Sequence, residues 1–596
     1  MRNTTTNYTK YTMRREYKNI MAILCENGHA NYKIIISKEA DSAVQYAAKE
    51  LTMFLYRATK TAFAAGFDDS EKTGCEIVLG LTNREPAGFI AREDLKNDGF
   101  TIKTGTNGDI FISGKTGRGT LYGVYTFLEE YAGIEFISYD YTYIPAKDKI
   151  ELPEQIDNTQ IPPFEYRDIY YREIIGNPDF SARRKCNGSH GNLTEAHGGK
   201  FVYAGFVHTF DSIVPPDKYF AEHPEYFSLV NGTRTSKHAQ LCLTNPEVLE
   251  IAKKYVRDIL QKNPKVNIIS VSQNDCYNPC ECENCREIDE AEKSHAGTLL
   301  RFVNAVADSI KDDYPEAIID TLAYQYTRAC PQITKPRENV AVRLCTIECC
   351  FSHSLNACNK TGALEDYGRK HNIIDDFDEW AKISKRLYVW DYVTDFCHYL
   401  LPHPNLHILK DNINFFVVHN VAGLFEQGCG DTINSDFGAL RAYVLSKLMW
   451  NPALDLNALI DSFLYHYYGK AHKIVRSYID LFADEVTKKE ICVGTFAHPD
   501  NPVYSEDILN KAEKLVAKAK QAALFESETV RTHVEIFALG LEYTRLWNKK
   551  DTNPDSAEVD RFICKCMELG LTHIREWSTL NVFESQSERL VLKGKK

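Results

Sequence analysis

Polar side chains with acid–base chemistry close several apolar, β-branched runs of the sequence. The acidic and amide residues at these run ends are Asn274, Asp275, Glu348, Asp391 and Glu426. Two carboxyl groups on opposite sides of a bond can act as general acid and as general base or nucleophile. One carboxylate at such a place is often only a helix N-cap or a salt-bridge partner. Several of them at converging strand ends therefore predict hydrolytic chemistry more strongly than any one alone.

Two of these carboxylates have distinctive surroundings in the sequence. Glu348, in VRLCTIECC, follows an apolar run and precedes two thiols. Such dry surroundings favour the protonated form of a carboxyl group, and thus general-acid catalysis. The alternative is a carboxylate neutralised by a cation such as Arg343. Glu426, in GLFEQGCG, lies between glycines, which allow either the close approach of a ligand or a turn.

Aromatic and hydrogen-bonding residues are interleaved with the carboxylates. They are His208, Tyr326, Trp390 and Tyr392, with Asn274 and Asp391 as further hydrogen-bonding candidates. Aromatic residues make up 12% of the chain and suit clefts in which sugar rings stack, although ordinary core packing explains them equally well. A lone His or Asp at a strand end is more often structural than functional. As an ensemble, these residues resemble the cleft of a glycoside hydrolase.

Four cysteines lie in the stretch directly after Asp275. Cys276, Cys280, Cys282 and Cys285 give the spacing C-x3-C-x-C-x2-C, which supplies enough thiolates for a tetrahedral zinc site. The single-residue gap is tight, and zinc sites usually show two well-separated ligand pairs. A redox couple through Cys282 and Cys285 is disfavoured because no helix is predicted directly after the segment. A structural zinc ion and packed thiols that keep the loop rigid both stay open, and catalysis is predicted to need no cofactor.

Composition and charge limit the classes of partner. The chain has 596 residues, 44% of them apolar, and a net charge of −12 with basic residues spread along it. This balance argues against nucleic acid or an anionic membrane and favours a neutral or weakly charged ligand. No segment approaches the roughly 20 consecutive apolar residues of a membrane span. The start lacks an apolar core with a cleavage site, which predicts a cytoplasmic location. Nothing in the sequence indicates an oligomeric state.

The candidate residues need a fold whose strand ends converge. Residues 31–153 alternate strand and helix periods and predict a small α/β domain, followed by a proline-containing linker. From 160 to 436, apolar runs alternate with amphipathic helices, which predicts a parallel sheet covered by helices and a (β/α)8 TIM-type barrel. An open doubly wound sheet is the alternative, but no Gly-rich phosphate loop follows any strand. Residues 437–590 predict a helical C-terminal region.

Several longer motifs resemble one family of glycan-active proteins. In chain order, and within residues 165–480, they include HTFDSIVPPDKYFAEHPEYF, SVSQNDCYNPCECENC, DTLAYQYTRACP, IECCFSH, VWDYVTDFCHYLLPHPNL, GLFEQG and LRAYVLSKLMWNP. These segments are similar to glycoside hydrolase family 163, formerly a domain of unknown function. The N-terminal α/β domain resembles the non-catalytic domain that precedes the barrel in β-hexosaminidases and α-glucuronidases.

The resemblance implies a carbohydrate hydrolase. The activity described for the family is endo-β-N-acetylglucosaminidase, which cuts the chitobiose core of N-glycans, and the implied mechanism is retention through the acetamido group of the substrate. Glu348 is then the preferred general acid/base and Asp275 the preferred acetamide-orienting group, with Glu426 as the rival for either role. The residues implied to line the sugar subsites are His208, Asn274, Tyr326, Trp390, Asp391 and Tyr392.

Other functions stay open on the same residues. An exo-acting hexosaminidase or an α-glucuronidase-like hydrolase could use this scaffold with a changed loop, since one fold supports many activities. A glycan-binding scaffold without turnover is the alternative outside enzymes. A chain without an export signal would meet imported glycans or short glycopeptides rather than intact glycoproteins.

Overall fold

The fold is that of a computed structural model, which describes residues 21–358, 362–548 and 556–580. The chain forms two compact units. The first contains the residues up to 135 together with 143–161 and 195–198, and the second contains the others. In the described ranges, no helix combines the length and the apolar character that a membrane crossing requires.

The first unit is built around a six-stranded mixed sheet. Its strands, in sheet order, are Asp157–Gln160, Phe100–Thr104, Ile110–Gly114, Cys75–Leu79, Tyr32–Ile36 and Ala65–Phe67. A smaller antiparallel sheet contains Met21–Glu26, His29–Ala30 and Lys149–Pro153. The helices Ser42–Thr59 and Gly117–Glu130 pack against each other.

The segment predicted to be a linker contributes one strand to each of these sheets. Lys149–Pro153 pairs with Met21–Glu26, and Asp157–Gln160 pairs with Phe100–Thr104. Proline cannot donate to a strand ladder. The prolines of this segment lie at the end of the first strand and after the second, so they do not interrupt the pairing.

The second unit contains a seven-stranded parallel sheet, with strands β1 to β7 in chain order. They are Tyr166–Ile169, Tyr203–Ala204, Ile268–Ser270, Ile318–Ala323, Val340–Cys345, Leu387–Tyr392 and Val421–Gln427. The order in the sheet is β1, β7, β6, β5, β4, β3 and β2, and all neighbouring pairs are parallel. The predicted TIM-type barrel class is confirmed, with seven hydrogen-bonded strands in the described residues instead of eight, β1 and β2 being the edges.

A buried ion pair lies inside the barrel. Arg343 on β5 and Asp320 on β4 are both fully buried, with Nε and Oδ1 3.3 Å apart. The Tyr203 hydroxyl donates a hydrogen bond to Asp320. The Arg343 guanidinium lies over the rings of Tyr166 and Tyr388, at 5.6 and 5.4 Å from their centroids. Because buried charges are costly unless they are paired, these contacts tie five strands to one centre.

Helices follow the strands and continue towards the C terminus. The longer helices between β2 and β7 are Pro246–Lys262, Glu283–Glu292, Ala296–Asp308, Ile373–Ile383 and Leu409–Val418. After β7 follow Gly438–Trp450, Leu456–Tyr468, His472–Lys489, Glu506–Ala523, Glu528–Asn548 and Ser556–Glu568. The predicted helical C-terminal region is thus confirmed. The last of the described residues include a hairpin formed by His573–Arg575 and Ser578–Thr579.

The helix Pro246–Lys262 shows how local sequence sets these boundaries. The Asn245 side chain accepts hydrogen bonds from the backbone N–H groups of the first turn, and proline occupies the first helical position. The buried residues recur every fourth position and form one apolar stripe, which consists of Val248, Ala252, Val256 and Leu260.

Candidate active site

Side chains from β3 to β6 converge at the carboxyl ends of the strands. The Tyr324 hydroxyl, directly after β4, donates a hydrogen bond to Asp275 Oδ1 at 3.1 Å. Burial raises the pKa of Tyr324 and of Tyr392, and the negative charges of Asp275 and Glu348 raise both further. Each tyrosine therefore interacts electrostatically with both carboxylates. Of the acids predicted from the sequence, Asp275 thus contacts Tyr324 directly at the carboxyl end of β4.

Asp275 is exposed at the end of the segment that follows β3. Gln273, two residues earlier, is fully buried, and its Nε2 donates to Thr327 Oγ1 at 2.7 Å. The backbone is therefore fixed just before the carboxylate, while the carboxylate itself is open to a ligand. This arrangement suits a group that must contact substrate in a defined position.

Glu348 is held by a buried arginine. Arg328 Nη1 lies 3.1 Å from Glu348 Oε2, and Arg328 Nε lies 2.7 Å from Asp376 Oδ2. The arginine is fully buried, whereas the Glu348 side chain is 25% exposed. The partner suggested by the sequence, Arg343, is instead bound to Asp320 inside the barrel, because its side chain points to the interior from the middle of β5.

Trp390, Tyr392 and Gln427 extend the site along β6 and β7. The rings of Trp390 and Tyr392 are stacked, with centroids 6.0 Å apart and planes at 20°. Trp390 Nε1 donates to Gln427 Oε1 at 2.7 Å, and Gln427 Nε2 donates to Glu576 Oε1 at 3.4 Å. The site thus offers aromatic faces next to a third carboxyl group.

Glu576 comes from the C-terminal hairpin. The hairpin binds the segment after β6 through the backbone, since Glu576 N–H donates to Phe396 O and Tyr399 N–H donates to Ile574 O, both at 2.8 Å. Burial, and then the charges of Asp431 and Asp275, raise the pKa of Glu576 to about 7. No sequence pattern marks this residue, because it lies far in sequence from the barrel strands, in a region with a helical pattern.

Asp391 and Glu426 lie apart from the side chains described above. They are cross-strand neighbours on β6 and β7, on the face opposite to Trp390 and Gln427. Asp391 accepts a hydrogen bond from Thr346 Oγ1. Glu426 is fully buried, and neither of its carboxyl oxygens has a hydrogen-bond partner in the described part of the chain. Burial, and for Glu426 also the charge of Asp391, raise the pKa of both carboxyl groups.

Asn274 positions the loop rather than presenting its side chain to the cleft. Its Nδ2 donates to Asp211 Oδ1 at 2.8 Å and to Ala239 O at 2.9 Å, and its Oδ1 accepts from Asp211 N–H at 3.1 Å. His208 lies beside the site, with its ring 5.9 Å from that of Tyr324. Its Nδ1–H donates to the backbone oxygen of Gln273 at 2.8 Å. His208 thus lies beside Tyr324, and the Asn274 side chain is bound by Asp211 and Ala239.

Tyr326 lies towards the cysteine-rich loop instead of beside Glu348. Its ring contacts those of His295 and Tyr277, at centroid distances of 5.6 and 6.5 Å. The residue lines the same cavity as Cys280 and Cys285. Tyr326 lies in the helical turn Gln325–Thr327, directly after β4.

The cysteine cluster differs in one member from the predicted set. The thiols of Cys280, Cys282 and Cys285 meet Cys242, and these four sulfur atoms lie within 4.8 Å of one another. Cys276 lies outside the cluster, where its sulfur and its backbone oxygen are bound by Gln240 Nε2. The expectation of no following helix is also corrected, since a helix begins at Glu283, immediately after Cys282.

Carboxylates, tyrosines and a tryptophan thus lie at the carboxyl ends of the parallel strands. Active sites of TIM barrels lie at the same end of the strands. The chain belongs to the family described as domain of unknown function DUF4838, whose model matches residues 136–480. Residues 16–127 match the model described as glycosyl hydrolase family 67 N-terminus. No curated protein matches the chain.

Solved glycoside hydrolases are similar to the chain. One is a family GH115 4-O-methyl-α-glucuronidase with specificity for decorated arabinogalactans, at a TM-score of 0.56 and 12% identity over 96% of this chain and 78% of that one. A family 89 glycoside hydrolase from Clostridium perfringens has a TM-score of 0.49 and 10% identity, over 88% and 65% of the two chains. A Flavobacterium johnsoniae chitobiase has a TM-score of 0.43 and 12% identity, over 96% and 97%. The likeness to the first of these shows a shared fold.

Proposed function

We propose that the protein is a glycoside hydrolase that cleaves β-linked N-acetylglucosamine, acting within the chitobiose core of N-glycans. The observation that carries the proposal is the hydrogen bond of Tyr324 to Asp275 at the carboxyl end of β4, with the partly exposed Glu348 in the segment after the neighbouring strand β5. The family 67 N-terminal match and the fold shared with a glycoside hydrolase support a carbohydrate substrate. The choice of N-acetylglucosamine rests on the resemblance of the sequence motifs to glycoside hydrolase family 163.

The proposed reaction uses the acetamido group of the substrate as the nucleophile. The acetamido oxygen attacks the anomeric carbon while the bond to the leaving oxygen breaks, and Glu348 gives its proton to that oxygen. Asp275 accepts a hydrogen bond from the acetamide N–H, and Tyr324 fixes the orientation of Asp275. Water then attacks the anomeric carbon, Glu348 takes a proton from it, and the configuration is retained overall.

The substrate position follows from the aromatic faces. Trp390 is partly exposed, and its stacked partner Tyr392, the last residue of β6, is buried. A sugar ring on this side would have its apolar face against Trp390 and its acetamido group towards Asp275. Trp390, Gln427 and Glu576 are joined in this order by hydrogen bonds, so Glu576 lies at the end of the chain of hydrogen bonds that begins at Trp390.

Three substrates separate this function from its alternatives. We expect a released biantennary N-glycan to lose its reducing-end N-acetylglucosamine, and a nitrophenyl β-N-acetylglucosaminide to be a poorer substrate. Cleavage of the nitrophenyl glycoside alone would indicate an exo-acting hexosaminidase. Cleavage of an aldouronic acid alone would indicate a glucuronidase. If binding occurs without any product, the protein is a glycan-binding scaffold.

Replacing Asp275 by Asn is expected to lower kcat on N-acetylated substrates by about 10²-fold or more, the usual effect of losing one preorganised electrostatic partner. The neutral amide cannot stabilise the positive charge that develops on the attacking acetamide. Kinetics on the glycan check this, with the exposed Asp258 as the matched control in Asp258→Asn. Unchanged kcat in Asp275→Asn would remove the residue from the mechanism.

Activity is expected to fall as the pH rises through about 7, because Glu576 then becomes charged near Asp275. Its raised pKa means that the neutral form predominates below that pH and is lost above it. A negative charge on Glu576 changes the electrostatic environment of Asp275, which is the one carboxylate proposed to bind the substrate acetamide. Substrate binding should therefore become weaker. The pH profile of kcat/KM checks this, and Glu576→Gln should abolish that limb while the exposed Glu568→Gln keeps it. The same limb in Glu576→Gln would assign it to another group.

A further inference from the structure

The described residues contain two clusters of soft metal ligands, and each includes cysteines from the loop that carries Asp275 or Glu348. The first consists of Cys242, Cys280, Cys282 and Cys285, and the second of Cys350, His353, Cys358 and Cys492. We propose that each cluster binds a structural zinc ion. We further propose, on the basis of the proposed function, that the two ions fix the loops that carry Asp275 and Glu348.

The first cluster has the dimensions of a tetrahedral zinc–thiolate site. With zinc–sulfur bonds of about 2.3 Å, the sulfur atoms of such a site lie about 3.8 Å apart. The sulfur of Cys242 lies 3.6 Å from that of Cys282 and 4.0 Å from that of Cys285. A disulfide would need about 2.05 Å. Four thiols at the wider spacing leave room for one central ion.

Hydrogen-bond donors surround these sulfur atoms. The Leu229 N–H donates to Cys280 Sγ at 3.4 Å, and Arg234 Nη1 lies 3.5 Å from the same sulfur. The Thr244 hydroxyl lies 3.2 Å from Cys285 Sγ. Metal-bound thiolates carry negative charge and are normally oriented by such outer contacts. The surroundings therefore suit a bound metal better than four neutral thiols.

The first site would act on Asp275 through Gln240. This glutamine precedes Cys242 by two residues, and its Nε2 donates to the backbone oxygens of Asn274 and Cys276, at 3.0 and 2.6 Å. Its Oε1 accepts from the Asn274 N–H at 2.9 Å. A metal ion that ties Cys242 to the cysteine loop thus fixes the backbone on both sides of Asp275.

The second cluster contains a histidine oriented as a metal ligand. His353 Nε2 lies 3.3 Å from the backbone oxygen of Val486, which can only accept, so Nε2 carries the proton. Nδ1 is then an acceptor, and it lies 3.3 Å from Cys350 Sγ. Metal-bound histidines characteristically donate through the other ring nitrogen to a carbonyl or carboxylate. The sulfur atoms of Cys358 and Cys492 lie 3.8 Å apart, again the spacing of a shared ion.

The second site would act on Glu348. Its ligand Cys350 lies two residues after Glu348, while Cys492 follows the helix His472–Lys489 of the C-terminal region. Ser352 already joins the same segments, since its hydroxyl donates to Ile491 O at 2.7 Å and accepts from Val493 N–H at 3.0 Å. A zinc ion here would connect the loop after β5 to the C-terminal helices.

Zinc content of the purified chain, measured by mass spectrometry after expression with added zinc, tests the proposal. We expect about two ions per chain in the wild-type protein, as the two ligand sets require. We expect one ion in Cys242→Ser and one in Cys492→Ser. Cys276→Ser is the matched control, because this cysteine lies in the same loop but outside both clusters, and it should retain both ions.

The outcomes separate the two sites from each other and from the proposed function. Wild-type protein without zinc overturns both sites, and unchanged zinc content in Cys242→Ser or in Cys492→Ser overturns the corresponding site. If a variant is insoluble, wild-type protein grown with cobalt should show the intense visible bands of tetrahedral thiolate-bound cobalt, and their absence overturns the proposal. A zinc-free chain that cleaves the glycan contradicts only the metal sites, whereas a zinc-loaded chain that cleaves nothing contradicts only the function.

Discussion

Replacement of Glu348 by Gln is expected to lower kcat/KM on a natural glycan by about 10²–10⁴-fold, the usual contribution of a general acid or base. The amide has the size of the carboxylate and can still accept a hydrogen bond from Arg328, but it has no proton to give to a leaving oxygen. The buried pair of Arg328 and Asp376 stays intact in this variant, so the fold should be retained.

The choice of substrate shows which role Glu348 performs. A nitrophenolate leaves without protonation, so the loss in Glu348→Gln should be smaller on a nitrophenyl glycoside than on the glycan. An equal loss on both would exclude the general-acid role. Glu338, which is exposed and paired with Lys385, gives the matched control in Glu338→Gln. Wild-type activity of Glu348→Gln on both substrates would contradict any catalytic role for this residue.

Replacement of Arg343 by Met is expected to destabilise the protein by about 3–5 kcal/mol, the cost of leaving one buried charge without its partner. Asp320 is fully buried, and its remaining partner would be the Tyr203 hydroxyl. The guanidinium also lies over the rings of Tyr166 and Tyr388, and Met cannot reproduce its cation–π contacts.

Denaturant unfolding of the barrel unit measures this loss. Arg337 pairs with Asp308 on the surface, so Arg337→Met should cost less than about 1 kcal/mol and serves as the control. A second replacement, Asp320→Asn, should recover part of the stability of Arg343→Met because it removes the unpaired charge. If Arg343→Met were as stable as the control variant, the ion pair would not support the barrel.

The order of strands and helices could be predicted because the chain alternates short apolar runs with amphipathic segments. The spacing of apolar residues is a local property of the sequence. It was enough to predict the barrel class and the C-terminal helices. The sequence predicted eight strands, whereas seven pair in the described residues, and β2 contains only two residues. The two strands in the predicted linker were not predicted, because prolines usually indicate a linker. Here the prolines lie at positions that do not break the strand pairing.

The site could be predicted only in part, for a physical reason. Parallel strands are buried on both faces, so no polar alternation tells which residues point inward. Trp390 and Asp391 are adjacent in sequence, yet Trp390 contacts Gln427 in the barrel and Asp391 binds Thr346 on the other face. Glu426 is the cross-strand neighbour of Asp391 and lies on the same face as Asp391.

Long-range contacts account for the residues that were missed. Cys242 joins the cysteine loop from a segment 40 residues upstream of Cys282. Glu576 reaches Gln427 across 149 residues of sequence. Arg328 binds Glu348 from the segment after a different strand. No local pattern marks these residues, because chain folding alone determines which distant side chains meet.

The most direct test compares wild-type protein with a chain that carries both Asp275→Asn and Glu348→Gln, on one released biantennary N-glycan analysed by mass spectrometry. We predict that the wild-type protein shortens the glycan by its reducing-end N-acetylglucosamine. We predict that the double variant, with an unchanged circular dichroism spectrum, leaves the glycan intact. An unaltered glycan after incubation with the wild-type protein, or equal conversion by the double variant, would contradict a glycosidase site at Asp275 and Glu348.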